Sequence, residues 1–312
     1  MKNLFKKAVY TLLFLLLTAC MLLYPKSSLS YALTGLTLWY DKMIPALLPF
    51  MILSNLIIGL HLTDSFVFLL KPLFGKLFCL NGHGIYAIIV GFLCGFPMGA
   101  KVTADLYRRK LIQKDEAQCL LFFSNNIGPI YFTSFVMPML PFQKTAALLF
   151  GMYGLPFLCG ILLCHRVHSH PHLCAAVLPE KRQEGLLDIL DEAVMSALLS
   201  IAKLGGYMVL FSLLNILPAI FLEKGAGFLL IPTGQDSVLS CAIGCLFEIT
   251  SGISRTRGRY PLLILSLLHF GGFSCIAQTY SMIKGTDLSL RQYILQKSLL
   301  ALLGTFYYAA VL

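Results

Sequence analysis

The chain has 312 residues, of which 58% are hydrophobic and 12% are charged, and its mean hydropathy is +0.80. A soluble domain usually carries about 25% charged residues, so this composition excludes a soluble enzyme, a nucleic-acid-binding domain and a disordered tail. The net charge of +10 comes from basic residues between apolar runs, a pattern typical of the cytoplasmic loops of membrane proteins. We therefore predict an all-α polytopic membrane protein.

The first apolar run, residues 8–24, follows three lysines and is long enough to cross a bilayer once. Residues 17–20 (LTAC) also resemble a lipobox, in which Cys20 would be lipidated after cleavage. Because the apolar run continues beyond Cys20 instead of turning polar, an uncleaved helix with a cytoplasmic N-terminus is the preferred interpretation. Residues 1–30 are assigned to this N-terminal transmembrane anchor.

Further apolar runs follow, and about eight apolar segments are expected in all. The further runs, after residues 8–24, are residues 43–60, 84–100, 117–142, 145–164, 204–222, 237–254, 260–283 and 298–312. Helix-breaking residues interrupt two of them: Gly95 and Pro97 in the second, and Gly128 and Pro129 in the third. Non-helical backbone at membrane depth persists only where protein or water satisfies its polar groups. We predict that these two runs are broken or re-entrant hairpins.

Two stretches between these runs are more polar. Residues 101–116 are too polar to cross a bilayer, and Lys101 and Asp105 within them lie one helical turn apart and could pair. Residues 186–203 are amphipathic and predict an interfacial helix leading into the 204–222 span.

The two halves of the sequence resemble each other at a shift of about 176 residues. Residues 95–97 (GFP) correspond to residues 272–274 (GFS), and Gly128 corresponds to Gly304. Paired broken segments in corresponding halves are typical of transporters, whose sites lie between the repeats. The sequence thus predicts a first membrane repeat at 31–164, a basic His-rich cytoplasmic loop at 165–185 and a second membrane repeat at 186–312.

Small residues at every fourth position mark the first interrupted run. Gly91, Gly95 and Gly99 would form a ridge that lets another helix approach closely, and helix packing is their simplest role. Pro97 adds a second interpretation, because a break there exposes a helix start that could face an anionic group. Lys101, just beyond the break, would add a positive charge.

Polar side chains inside the apolar runs are the remaining candidates. Asn125 and Asn126 are interpreted either as a hydrogen-bonding clamp between helices or as a pair that faces a ligand or ion. Glu248 is the carboxylate inside an apolar run, so it is a functional candidate or a structural partner of a basic residue such as Lys101. His269 and Gln278 are weaker cases. The candidate solute- or ion-pathway residues are Gly95, Pro97, Gly99, Lys101, Asp105, Asn125, Asn126, Glu248, His269 and Gln278.

Residues 164–174 contain thiol and imidazole ligands that suit zinc or copper. The weak metal candidates are Cys164, His165, His168, His170, His172 and Cys174. Their spacing fits no standard zinc module, so solvated juxtamembrane side chains are the preferred interpretation. The other cysteines lie mostly in apolar segments, and no spacing indicates a disulfide framework. The sequence contains no nucleophile elbow, Walker loop or HExxH motif, so we expect neither an enzyme nor a bound cofactor.

Four motifs, together with residues 35–50, resemble one known family. They are GFPMGAKVTADLY at 95–107, EAQCLLFFSNNIGP at 116–129, FEITSG at 247–252 and HFGGFS at 269–274. The combination is similar to the sporulation integral membrane proteins of the YlbJ type, which contain the nucleoside-recognition, or gate, domain. In that family a Tyr is expected where this chain has Phe96, which removes one hydroxyl.

The resemblance implies a multi-pass protein of the bacterial cell membrane that acts in spore formation, at the stage of the cortex. The gate domain is shared with nucleoside transporters and ferrous-iron transport proteins, which implies two gate-like repeats that bind or pass a small nucleoside-like solute or an ion. A non-transporting scaffold for spore-envelope assembly is the alternative, and a metal-ion permease is a weaker one. The expected partners are the lipid bilayer and a small solute, with a homo-oligomer or spore-envelope proteins as further candidates and no nucleic acid.

Overall fold

A computed structural model describes residues 2–141, 144–168, 185–225 and 237–312. The first nine helices are α1 (Lys2–Leu23), α2 (Pro25–Leu38), α3 (Ile44–Gly59), α4 (Thr63–Val67), α5 (Lys71–Phe78), α6 (Gly82–Cys94), α7 (Met98–Arg108), α8 (Lys114–Phe123) and α9 (Pro129–Tyr131). They are followed by α10 (Thr145–Leu149), α11 (Leu155–His168), α12 (Leu186–Leu214), α13 (Ile216–Gly225), α14 (Val238–Phe247), α15 (Ile249–Thr256), α16 (Pro261–Phe270), α17 (Gly272–Ile283) and α18 (Leu290–Val311). Strands are absent from these described ranges, so the predicted all-α fold is confirmed.

Within the described residues, six helical segments are long and apolar enough to cross a membrane. They are Lys6–Leu23, Pro25–Gly59, Thr145–Arg166, Leu186–Phe221, Pro261–Ile283 and Leu290–Val311. A seventh is counted if α5 and α6, which meet at a bend of 96°, form one span. The expected number of about eight is therefore not confirmed. The shortfall has a local cause, because the apolar run at 237–254 yields only the 10-residue helix α14 before Glu248 ends it.

The amphipathic stretch at 186–203 leads directly into the following apolar span, and its interfacial position stays a prediction. Residues Leu186–Leu214 form one continuous helix of 29 residues, α12. Its buried face includes the small residues Ala193, Ala197 and Ser200, whereas Leu187 and several other large apolar side chains of its first half point outward. Outward leucines are stable in a lipid environment, so the same amphipathic pattern is compatible with a helix that crosses the bilayer.

Helices α3 and α12 pack against each other in opposite directions. Asn55 Nδ2 donates to the carbonyl of Ala193 over 2.9 Å, and Gly59 lies against Ile189. Near the other end of the pair, Trp39 Nε1 donates to the carbonyl of Ile201 over 2.9 Å. These contacts form a long seam, here called the α3–α12 seam, that runs through the molecule.

The helix boundaries repeat along the chain. Helix α6 ends at Cys94 and α16 ends at Phe270, and helix α8 begins at Lys114 and α18 begins at Leu290. Both pairs of boundaries are separated by the 176 residues at which the sequence motifs correspond. The order helix, break, helix, turn, helix thus occurs twice. The wider division into repeats at 31–164 and 186–312 stays a prediction.

The two helix–turn–helix units are linked at the end that carries their turns. Asp287 accepts a hydrogen bond from the Tyr107 hydroxyl over 2.7 Å and pairs with Lys114 over 2.8 Å. Hydrogen bonds from Lys114 and then Tyr107 hold the pKa of the Asp287 carboxyl below its ordinary value. Arg108 also donates to the carbonyls of Met282 and Lys284. We call this end of the molecule the charged end.

Candidate functional site

The first helix break lies between α6 and α7. Gly95 has φ +79°, which L side chains rarely adopt, and Pro97 precedes the first residue of α7. A Cβ atom on Gly95 would collide with the backbone of Gly128, and one on Gly99 would lie 2.6 Å from the Ser124 carbonyl oxygen. The glycine ridge therefore packs against a second non-helical segment, as its spacing indicates.

That second segment, residues 124–128, is the predicted break between α8 and α9. One backbone carbonyl and one side-chain amide oxygen of this segment accept hydrogen bonds from the first break and the start of α7. The Phe96 amide donates to the Asn126 carbonyl over 2.6 Å, and the Ala100 amide donates to Asn125 Oδ1 over 3.2 Å. Backbone groups that each break leaves free thus find partners at the other break, as membrane burial requires.

Asn125 also reaches across to the second half of the chain. Its Nδ2 donates to Thr279 Oγ1 over 3.0 Å and to the Tyr293 hydroxyl over 3.1 Å. Because its Oδ1 serves the Ala100 amide, both ends of this amide are used within the protein. Asn125 is therefore a clamp between α7, α17 and α18 rather than a free group for a ligand.

Asn126 binds a lysine that the sequence analysis missed. Lys297 in α18 is fully buried, and its Nζ donates to Asn126 Oδ1 over 2.7 Å. The same ammonium lies 5.1 Å from the centre of the Phe96 ring. Asn126 Nδ2 in turn donates to the carbonyl of Phe123, the last residue of α8. Asn126 thus connects the ammonium of Lys297 to the carboxyl end of α8, where a positive charge is favourable.

Lys101 lies away from this cluster. Its side chain is 4% exposed, and its Nζ donates to Asp105 Oδ2 over 2.7 Å, to Asn55 Oδ1 over 2.9 Å and to Ser196 Oγ over 3.4 Å. The one-turn pairing of Lys101 with Asp105 is therefore present. The alternative pairing of Lys101 with Glu248 is not observed, because the two side chains occupy different parts of the molecule.

Glu248 forms a third break, between α14 and α15. Its backbone is extended, and its carboxylate accepts hydrogen bonds from the amides of Thr250 over 3.2 Å and Ser251 over 2.5 Å. A carboxylate at the start of a helix satisfies amides that have no partner inside the helix. The side chain is only 1% exposed, so a charged group is held inside the protein by the end of a short helix.

The three breaks meet around one cavity of about 170 Å³, here called the central cavity. Phe96 comes from the first break, Gly128 from the second and Glu248 from the third. Gln278 and Cys275 of α17 complete the wall on one side, and the α3–α12 seam supplies Leu47 and Leu204 on the other. Gln278 uses its Nε2 to donate to Ser274 Oγ over 3.0 Å.

A second cavity of about 210 Å³, here called the outer cavity, lies farther along the α3–α12 seam toward the charged end. Its wall includes Asn55, Asp105, Arg108, Arg109, Glu192 and Ser196. Three of these residues, Asn55, Asp105 and Ser196, are the partners of Lys101.

One further candidate, His269, is placed by packing. His269 is 2% exposed and stacks on Tyr308, with ring centres 6.0 Å apart. Its imidazole ring fits against α18 because residue 304 is glycine, where a Cβ atom would lie 2.3 Å from the ring. Within the described residues its Nε2 has no hydrogen-bond partner. The position of His269 agrees with a packed side chain more than with a proton relay.

The weak metal candidates are not gathered into a site in the part of the chain that the structure describes. Cys164 is buried with its sulfur 3.2 Å from that of Cys119, and His165 Nδ1 lies 2.9 Å from its own helix carbonyl at Ile161. The side chain of His168, together with His170, His172 and Cys174, lies outside the described residues.

The family model described as Gate, nucleoside recognition, matches residues 41–163. The sporulation integral membrane protein YlbJ of Bacillus subtilis (strain 168) is 29% identical over 324 aligned positions, which cover 92% of this chain and 78% of the relative. The chain is thus similar to YlbJ over most of its length, and the match to the Gate model lies mostly in its first half. No solved structure matches it.

The matched Gate domain contains the first two breaks but only part of the cavity wall. Asn125, Asn126 and Lys101 lie within it, whereas Glu248, Gln278 and Lys297 come from the half of the chain beyond the match. The central cavity is thus completed by residues outside the matched Gate domain.

Sequence reasoning could have found Lys297 by extending the last helix. Ser289 caps α18 by accepting from the Gln292 amide, so Lys297 lies about two turns inside a helix whose later residues are mostly apolar. The predicted membrane segment is the uncharged run 298–312, and Lys297 lies just before its first residue. The outer cavity had no comparable signal, because its wall combines residues from three distant parts of the chain.

Proposed function

We propose that this chain binds a small polar solute in the central cavity and passes it across the membrane, without enzymatic chemistry. The observation that carries the proposal is the meeting of three interrupted helices around one cavity that contains Glu248. Interrupted helices that converge on a polar site are typical of secondary transporters, because free helix ends supply partners for charged or polar groups. A scaffold would gain no evident benefit from burying a carboxylate beside a cavity.

The cavity favours a solute of about one ring. An internal space of about 150 Å³ accommodates benzene, and the central cavity is of similar size. The Glu248 carboxylate and the Gln278 amide provide acceptors for hydrogen-bond donors, while Phe96 and Tyr131 provide aromatic surface. A nucleobase-like ring with N–H groups has this combination of properties, in agreement with the description of the Gate domain.

The setting follows from the relative. Because YlbJ is a sporulation integral membrane protein, we infer a role for this chain in spore formation and a location in the bacterial cell membrane. The lysines before α1 favour a cytoplasmic N-terminus. The alternative of a non-transporting scaffold for spore-envelope assembly differs in one respect, since a scaffold would tolerate an isosteric change in the cavity.

The test is complementation of a spore-forming bacterium that lacks its own copy of the gene. Glu248→Gln keeps the shape of the side chain and one acceptor for the helix amides but removes the charge. We expect this variant to reach normal levels in membranes and to yield few heat-resistant spores. Asp191→Asn, a change at an exposed carboxylate that lines neither cavity, is the matched control and should restore resistance.

Normal spores from the Glu248→Gln strain would support the scaffold instead. A gene deletion that leaves sporulation intact would remove the proposed role altogether. Binding is checked separately with purified protein, uracil and uridine by thermal shift. The cavity volume predicts stabilisation by uracil, and this stabilisation should be absent in Glu248→Gln.

A further inference from the structure

The central and outer cavities lie on one continuous pair of buried helix faces. The buried face of α3 consists of Leu47, Met51, Ser54 and Ile58. Leu47 lines the central cavity and Ile58 lines the outer cavity, with Met51 and Ser54 between them.

The facing helix shows the same order. On α12, Leu204 lines the central cavity and Ala193 lines the outer cavity. Ala197, Ser200 and Ile201 lie between them on its buried face. The two cavities are therefore successive spaces along the same α3–α12 seam.

The barrier between the cavities is short. Phe50 in the central cavity and Asn55 in the outer cavity are five residues apart on α3, which corresponds to about 8 Å at the rise of an α-helix. Met51 fills part of this length and is fully buried. The two spaces are thus separated by about one and a half turns of α3.

Lys101 holds this barrier together. Its ammonium binds Asn55 of α3, Asp105 of α7 and Ser196 of α12, so one side chain ties three helices at the inner end of the outer cavity. The lysine is five residues after Phe96, which lines the central cavity. The charge of Lys101 is balanced by Asp105, which also binds Arg108 over 2.8 Å.

We propose that the outer cavity is the vestibule through which the central cavity opens toward the charged end, and that Lys101 is the residue that keeps this route closed. The inference rests on the proposed solute path, but it concerns access rather than solute chemistry. When Lys101 leaves Asn55 and Ser196, α3 and α12 lose the contact made through its ammonium and keep the direct hydrogen bond from Asn55 to the Ala193 carbonyl, and the vestibule extends to the central cavity. Asp105 remains paired with Arg108 in that state.

The experiment measures how fast a membrane-impermeant sulfonated maleimide labels native Cys275 in the central cavity. Peptide mass spectrometry measures the labelling of each cysteine separately, so the other cysteines do not have to be replaced. The measurement is made in membrane vesicles of both orientations. A Glu192→Cys variant identifies the side that reaches the outer cavity, since this side chain is exposed at its rim. Exposed Cys79 is an internal reference for reagent reactivity.

From the side identified by Glu192→Cys, Cys275 should be protected in the parent protein and labelled at least about tenfold faster in Lys101→Met. This factor corresponds to the loss of one charge-assisted hydrogen bond. Lys101→Arg keeps the donors and should retain protection, and Lys110→Met, at an exposed lysine, should behave as the parent. Asn55→Ala removes the hydrogen bond between Lys101 and α3 from the other side. This variant replaces Lys101→Met in the assay if Lys101→Met does not fold.

Labelling of Cys275 at the parent rate in both Lys101→Met and Asn55→Ala would overturn the proposal that the outer cavity is a vestibule closed by Lys101. Labelling of the parent protein at the rate of Cys79 from this side would do the same, because the route would already be open. The assay needs no solute, so normal spores from Glu248→Gln combined with faster labelling in Lys101→Met would reject the proposed function and keep the access route.

Discussion

Lys297 and Asn126 form a buried pair in which one member is charged and the other is neutral. The ammonium is fully buried, and its hydrogen bond to Asn126 Oδ1 is 2.7 Å long. Within the described residues, no carboxylate forms an ion pair with Lys297. Removing either partner should therefore have very different consequences.

Asn126→Leu leaves an ammonium inside the protein without its oxygen partner. Breaking a buried pair in this way costs about 3–5 kcal/mol. Lys297→Met leaves only a neutral amide oxygen without a donor, which costs about 1–3 kcal/mol. It also removes the unfavourable burial of a charge, which offsets part or all of that cost. We expect Asn126→Leu to be the more destabilising change by at least about 2 kcal/mol.

The assay is thermal unfolding of purified protein in detergent, followed by the fluorescence of Trp39, the single tryptophan. At about 2 °C per kcal/mol for a chain of this size, Asn126→Leu should lower Tm by about 6–10 °C. Lys297→Met should change Tm by only a few degrees, and the double variant should be more stable than Asn126→Leu alone. Lys284→Met, at an exposed lysine in a loop, is the control and should leave Tm unchanged.

A larger loss of stability from Lys297→Met than from Asn126→Leu would refute this reasoning. That result would mean that the positive charge itself stabilises the breaks, through the carboxyl end of α8, by more than its burial costs. A double variant as unstable as the sum of the two single changes would show that the pair is not coupled.

Two further predictions concern the breaks and the charged end. Gly95→Ala should lower Tm by several degrees, because φ +79° is strained for alanine and its Cβ would collide with Gly128. Gly206 has open space around it, so Gly206→Ala should not lower Tm. Equal effects of the two changes would contradict the packing argument. Asp287→Asn should lower stability at neutral pH, where the Asp287 carboxylate is ionised and its lowered pKa makes a stabilising contribution. That contribution is lost as pH falls through the folded-state pKa, so Tm values of parent and variant measured against pH should converge below about pH 4, and a constant difference would show that charge is not involved.

The positions of the helix breaks could be predicted because their cause is local. Gly95 with Pro97, and Gly128 with Pro129, interrupt helices through their own backbone properties, whatever surrounds them. The end of α16 at Gly271, 176 residues after Gly95, also has a glycine with positive φ but no proline, and α18 continues through Gly304 without a break. The composition likewise determined the membrane class, since so few charged residues cannot cover a water-facing surface.

Only the tertiary structure decided what the polar residues do. Asn125, Asn126, Lys101 and Glu248 were all plausible ligand groups in the sequence, yet the first two are occupied by α7, α17 and α18. Lys101 pairs within the α3–α12 seam, and Glu248 alone of the four lines the central cavity. Partners more than 90 residues apart determine these roles, as in the contact of Lys101 with Ser196. Spacing along one helix carries no information on which distant helix will face it.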